Sequence, residues 1–122
     1  MEVIEMSKNN LDYLCAEKGQ EIPKSKDDET IIQKALGVLQ EDGVYAFVIF
    51  LESKKEDKTA KKILEKIAEL FSDENIKLTD NATKENIREK ILELTKNIDN
   101  IFFAKDIIER TLIYARYHAK AK

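Results

Sequence analysis

A run of eight consecutive apolar residues, Val44–Leu51, constrains the fold of this chain more than any other segment. β-Branched and aromatic residues are enriched in it, so local propensity favours a buried strand. A lone strand leaves its backbone donors and acceptors without partners, and no other segment has the pattern of a strand. The surrounding segments have helical periodicity. We therefore expect Val44–Leu51 to form a short helix that is buried on all sides within an all-α fold.

Apolar residues at helical spacing predict further helices before this run. The first extends from about residue 3 to Lys18, and Gly19 can end it in a left-handed cap. Residues 19–27, which contain Pro23, form the clearest loop. A second helix begins at Asp27 or Asp28, whose charge suits a first turn. It ends at Asp42-Gly43.

After the apolar run, the plainest helix covers about 58–71. Asp80 and Thr83 are both good N-caps for a fifth helix. That helix carries Ile87, Ile91, Leu94 and Ile98, and Asp99-Asn100 then break or kink the chain before a last helix that runs to near Lys122. The whole pattern predicts a compact bundle of about five to six helices, in a single helical domain over residues 1–122.

Two predicted helices echo each other, because Ile63–Leu70 and Ile87–Leu94 share the pattern I-x-E-K-I-x-E-L. An internal duplication would produce this echo. Two amphipathic helices drawn from the same few residue types explain it as well, and we favour that interpretation.

Composition narrows the functional classes. The net charge is −3, so the chain as a whole does not favour nucleic acid or an anionic membrane, and only a local basic patch could do so. Cys15 is the only cysteine, which excludes a disulfide framework and favours a reducing cytoplasm. No apolar run approaches the roughly 20 residues of a membrane span, and the acidic start Met1–Glu5 lacks the features of a signal peptide. We expect a cytoplasmic protein that does not bind membranes.

No constellation for catalysis or metal binding is evident. Cys15 and the single histidine, His118, lack a framing turn or Gly-rich loop, and no ligand cluster surrounds His118. Acidic pairs such as Glu65 and Glu69 alternate with lysines, which is typical of a solvated face. We predict no enzymatic activity, no catalytic residues, no metal and no cofactor.

The last predicted helix divides into two arcs at about 100° per residue. His118 falls within the apolar arc of this helix and is interpreted as a packed core residue. Cys15, in the first predicted helix, is interpreted in the same way. A helix with so broad an apolar arc docks into a core or a groove; the arc comprises Ile101, Phe103, Ala104, Ile107, Ile108, Thr111, Leu112, Tyr114, Ala115 and Ala119.

The opposite arc is basic. Residues 105–122 contain five basic and two acidic residues, a local reversal of the overall charge. A basic stripe with an aromatic residue could hold a phosphate backbone. Cations that complement the helix dipole explain the same residues, and on the residues alone this second interpretation is slightly favoured. The arc carries Lys105, Arg110, Arg116, Tyr117 and Lys120.

Two segments resemble a known family. Asp42–Lys54, which follows an amphipathic helix, is similar to the "N-G-L … A-F-L … S-K" passage of the small α-helical subunit of CRISPR effector complexes, especially the type III-B form. The ending Ile101–Lys120 is similar to the aromatic-basic-Ala run that closes those subunits. The resemblance covers residues 28–122. The chain is shorter than the type III-B form and lacks its usual tryptophans, so the small subunits of type I complexes are equally open.

The resemblance implies a non-catalytic subunit that stacks with neighbouring copies of itself and bridges other subunits of the guide RNA complex. Such a subunit contacts the target or displaced strand, while the guide reads the sequence. Two alternatives stay open: a helical adaptor or homo-oligomer that buries the apolar arc against a protein, and a small enzyme completed at a subunit interface. The nucleic-acid-binding residues carried over are Arg110, Arg116 and Lys120, then Lys105 and Tyr117, with Arg88 and Lys84 as weaker additions.

Overall fold

The computed structural model describes the backbone of residues 2–122 and the side chains from residue 11 onwards. Within this part of the chain every regular element is helical, which confirms the predicted all-α bundle. A 3₁₀ turn, Lys26–Asp28, precedes the second helix. The six helices are α1 (Glu2–Glu21), α2 (Glu29–Asp42), α3 (Val44–Ser53), α4 (Lys58–Ser72), α5 (Ile87–Leu94) and α6 (Ile98–Ala121).

The apolar run forms α3, as predicted. Gly43 separates it from α2 with a φ of 96°, a conformation that L side chains rarely adopt. The prediction that α3 is buried on all sides is wrong, because Tyr45 and Ile49 are each 38% exposed. Helix α3 packs against α2, α4 and α5, and those contacts leave the face with Tyr45 and Ile49 in solvent.

Gly19 lies inside α1 and does not cap it. A Cβ atom at this position would lie 2.8 Å from the Thr111 carbonyl oxygen and 2.8 Å from the Tyr114 Cβ. The glycine therefore allows α1 to approach the backbone of α6, and this contact explains why a weak helix former occupies the position. Because α1 continues to Glu21 and the 3₁₀ turn begins at Lys26, the loop predicted over 19–27 is shorter in the structure.

Helix α6 is the central element, and its most extensive contacts are with α1 and then α2. Its predicted apolar arc forms part of the core, and so does Cys15. His118 is exposed, so its prediction as a core residue is wrong. Gly19 of α1 lies against Thr111, Tyr114 and Ala115 of α6, and α1 ends two residues later at Glu21. The buried residues of α6 are Ala104, Ile107, Ile108, Thr111, Leu112, Ala115 and Ala119.

The boundaries around α5 differ from the prediction. Helix α5 begins at Ile87 after a turn in which the Asn86 N–H donates to Thr83 Oγ1 at 3.2 Å. It ends at Leu94, and Ile98 belongs to α6, where it is 65% exposed. Asn97 is the N-cap of α6, since its Oδ1 accepts from the Asp99 and Asn100 N–H groups at 2.9 and 3.2 Å. The break therefore precedes Asp99-Asn100.

Helices α4 and α5, which share the pattern I-x-E-K-I-x-E-L, bury the same apolar positions of that pattern. The first, fifth and eighth positions of both copies are buried.

Among the described residues, no helix has the length and hydropathy needed to cross a membrane.

Candidate nucleic-acid interface

Carboxylates neutralise much of the basic arc of α6. Arg110 Nε donates to both carboxylate oxygens of Asp106, at 3.1 and 3.2 Å, and its Nη1 lies 3.7 Å from Asp12 Oδ1. The hydrogen bond with Asp106 and the nearby negative charges raise the pKa of Arg110. Lys120 Nζ lies 3.6 Å from Glu29 Oε2. Both cations thus already have carboxylate partners within the fold.

The other two cations of the arc, Arg116 and Lys105, are only partly accessible to a bound phosphate. The Arg116 guanidinium carbon lies 5.5 Å from the centre of the exposed Tyr117 ring, and its Nε is buried without a hydrogen-bond partner among the described residues. Lys105 is half-buried and forms no ion pair with the side chains of residues 11–122. The arc is therefore a weaker phosphate site than its residue count suggests.

A second basic surface lies between α3, α4 and the start of α5. It is a cleft of about 580 Å³, which we call the basic groove. Leu51 and Leu64 give it an apolar lining, and Glu52 and Glu85 are its two acidic residues. Its cationic residues are Lys54, Lys55, Lys61, Lys84 and Arg88.

The basic groove unites Lys84 and Arg88, the two weaker candidates of the prediction, with three lysines that the prediction missed. A signal for the missed residues was present, because residues 54–62 contain five lysines and only two acidic residues. Interspersed Lys and Glu are typical of any solvated helix face, so that signal did not stand out. None of the cations of α6 lines the groove.

Local structure explains why the lysines of the groove form no ion pair with the side chains of residues 11–122. Asp57, the acidic residue at the start of α4, caps that helix, since its Oδ1 accepts from the Thr59 and Ala60 N–H groups at 2.9 and 3.0 Å. Lys54 Nζ lies 5.3 Å from the centre of the Phe50 ring. Among the described side chains, Arg88 Nε and Glu52 Oε1, 3.4 Å apart, form the one ion pair of the groove's lining residues.

One lysine of α4, Lys66, belongs to a network of ion pairs with α1. Lys18 and Lys66 both contact Glu69, with Nζ–Oε1 distances of 2.9 and 3.6 Å, and Lys66 also contacts Glu21 at 3.0 Å. Partial burial opposes ionisation of Glu69, but the hydrogen bonds and charges of the two lysines outweigh it and lower the pKa of that carboxyl. This network joins α1 to α4.

The structure does not bring Cys15 and His118 together. Cys15 Sγ lies 3.8 Å from the Ile107 carbonyl oxygen, in the core, and burial raises the pKa of its thiol. His118 lies about 16 Å further along α6. In the part of the chain that the structure describes, no group of three or more His, Cys, Asp or Glu residues is arranged to hold a metal ion.

Comparison of this chain with protein-family models, curated proteins and solved structures gives no match.

Proposed function

We propose that this protein is a non-catalytic subunit that binds the phosphate backbone of a single-stranded nucleic acid in its basic groove. The observation that carries the proposal is the concentration of charge: five cations and two carboxylates line one cleft of a chain whose net charge is −3. Only Arg88 is engaged in an ion pair there among the described side chains. Cations without carboxylate partners release counterions from a bound phosphate chain, which drives binding.

The lining of the groove also determines what kind of recognition to expect. Four of the five cations are lysines, which act as point charges and do not read base edges in a fixed geometry. Leu51 and Leu64 line the groove but are only 1% and 4% exposed, so they offer a base almost no apolar surface. We therefore expect little sequence preference and a strong dependence on salt.

The assembly that fits this role is a CRISPR effector complex, in which the protein would be the small subunit. The resemblance of Asp42–Lys54 and Ile101–Lys120 supports this assignment. In that setting the guide reads the sequence and the groove holds the target or displaced strand. Arg116 and Lys105 are the members of the α6 arc that remain as secondary contacts.

Fluorescence anisotropy with a fluorescein-labelled oligouridylate tests the binding. We expect association at about 50 mM salt that weakens steeply by about 200 mM. The double variant Lys84→Glu with Arg88→Glu should lose at least about tenfold in affinity. The matched control is Lys90→Glu with Lys96→Glu, which changes the net charge equally and lies outside the groove. Absence of binding at about 0.1 mM protein and low salt, or an equal loss in both variants, would contradict the proposal.

Purification of the tagged protein from its native cells tests the assembly. A CRISPR subunit should copurify with a set of short RNAs that share a repeat-derived end. Copurification without such RNAs would reject the CRISPR assignment and leave the groove proposal to the binding measurement.

The alternative function, a helical adaptor or homo-oligomer, needs a different surface from the one predicted. The apolar arc of α6 is already buried inside the domain, and Leu112 is 0% exposed. Ile98 and Phe102, one turn apart on α6, are 65% and 62% exposed and could contact a second copy. Sedimentation that depends on concentration and is abolished by Phe102→Ser would favour this alternative. A monomer at all concentrations would exclude the homo-oligomer.

A further inference from the structure

A second cationic cleft lies on the other flank of α4, next to the end of α1. It has a volume of about 290 Å³, and we call it the α4 cleft. None of its lysines forms an ion pair with a described side chain. Its lining residues are Ile22, Lys24, Ser25, Asp28, Lys58, Thr59 and Lys62.

Asp28, the one carboxylate among the lining residues of the α4 cleft, accepts hydrogen bonds from within the protein. Asp28 Oδ1 accepts from the Thr59 hydroxyl at 2.7 Å, and its Oδ2 accepts from the Lys24 and Ser25 N–H groups at 2.7 and 3.2 Å. Partial burial opposes ionisation of Asp28, but these hydrogen bonds prevail and lower its pKa. The carboxylate therefore holds the start of α2 and α4 together, and the three lysines are left to face solvent.

The helical positions of three lysines connect the two clefts. Lys61 lines the basic groove, and Lys58 and Lys62 line the α4 cleft. At 100° per residue, Lys58 lies between Lys61 and Lys62 on an arc of about 100° around the first two turns of α4. The two clefts are thus the two ends of one basic surface that crosses α4.

Acidic surfaces adjoin the other sides of the basic groove. Beyond Lys84, the next cavity is lined by Glu65, Glu69 and Glu85. Beyond Lys54, another cavity is lined by three aspartates and two lysines, and one of the aspartates, Asp28, also lines the α4 cleft. A polyanion that leaves the groove meets more carboxylates than lysines in these two directions, whereas the direction across α4 meets more lysines than carboxylates.

We infer that a single strand of nucleic acid leaves the basic groove over the first two turns of α4 and places its next phosphates in the α4 cleft. This inference rests on the proposed function, since it extends the path of the same ligand. A helix is about 10 Å across, so a strand of about 4 nucleotides reaches only one cleft and a strand of about 12 nucleotides reaches both.

Binding of oligouridylates of these two lengths tests the path. The variant combines Lys24→Gln, Lys58→Gln and Lys62→Gln, and its matched control combines Lys77→Gln, Lys90→Gln and Lys96→Gln. For the longer strand we expect the cleft variant to lose about tenfold in affinity and its salt slope to fall by about 2. The shorter strand and the control variant should change less than about twofold. Circular dichroism on heating checks that each variant is folded.

The outcomes separate the path from the proposed function. If the cleft variant binds the longer strand as the native protein does, while Lys84→Glu with Arg88→Glu still weakens binding, the path is wrong and the groove stands. If neither variant changes binding, both proposals fail. Equal competition by polyglutamate of matched charge would also overturn the path, because the surface would then be a site for any acidic polymer.

Discussion

Two regions of this protein have similar numbers of cations and use them differently. On α6, Arg110 and Lys120 have carboxylate partners within the fold. In the basic groove, Lys55, Lys61 and Lys84 have none among the described side chains. The difference teaches that the number of cations in a segment does not measure the charge available to a ligand. What matters is where the carboxylates of other elements lie.

The largest effect should come from a change that tests the structural role of α6. Leu112 is fully buried, so Leu112→Asp places an unpaired carboxylate in the core. We expect a loss of more than about 4 kcal/mol in the free energy of unfolding, and hence a largely unfolded protein. Urea denaturation and circular dichroism measure it. A folded variant that has merely changed its oligomeric state would show instead that this face of α6 is an interface.

The contact between α1 and α6 should respond to a single methyl group. A Cβ at Gly19 meets the Thr111 carbonyl oxygen at 2.8 Å, which is backbone and cannot rotate away. We expect Gly19→Ala to lower the free energy of unfolding by about 1–3 kcal/mol, despite the better helix propensity of alanine. Gly37, which lies in α2 and whose added Cβ would meet nothing within 4 Å, is the matched control. There the same substitution should stabilise by about 0.5–1 kcal/mol.

A direct comparison of the two basic regions should favour the groove. We expect Lys61→Gln with Lys84→Gln to weaken oligouridylate binding about tenfold at low salt. Arg110→Gln with Lys120→Gln removes the same charge, but from groups that are already paired, so the loss should stay below about threefold. Titration by anisotropy measures both variants. Equal losses would show that the pairing on α6 does not prevent those residues from binding phosphate.

The smallest effect concerns the ion pairs between α1 and α4. The pKa of Glu69 is lowered in the folded protein, so its contribution to stability is present above the unfolded value of about 4.3 and is lost as pH falls through the folded value. Because its side chain is 41% exposed, solvent screening limits the contribution to less than about 1 kcal/mol. Urea denaturation of Glu69→Gln and the native protein should therefore differ slightly at pH 7 and converge in acid. A difference that persists in acid would mean that packing, not charge, is responsible.

The sequence was sufficient to predict the fold class and most of the helices, because helical periodicity is a local signal. The helical form of Val44–Leu51 was predicted from the lack of a partner strand, an argument that needs no tertiary contacts. Gly19 was misread because a glycine suits a helix end and a close helix crossing equally well, and only the position of α6 distinguishes them.

The candidate site was harder to predict because its parts are distant in sequence. Lys54 and Lys61 lie on one side of the groove, and Lys84 and Arg88 come from a segment about twenty or more residues later, so periodicity within one helix cannot connect them. The pairing of Lys120 with Glu29 is equally non-local, whereas that of Arg110 with Asp106 is an i, i+4 contact that the sequence contains. Local patterns indicated which residues are basic, and tertiary structure determined which of them have a carboxylate partner among the described side chains.

The contact between α1 and α6 also bears on how this chain reaches its native state. Cys15 with Ile107 and Asp12 with Tyr114 join positions 92 and 102 residues apart. On a ribosome, α1 to α5 are therefore made before the helix that covers their apolar faces exists, and the early part of the chain exposes surface that promotes aggregation until α6 emerges. The contacts that α6 makes with α1 therefore form only after the five other helices have been synthesised.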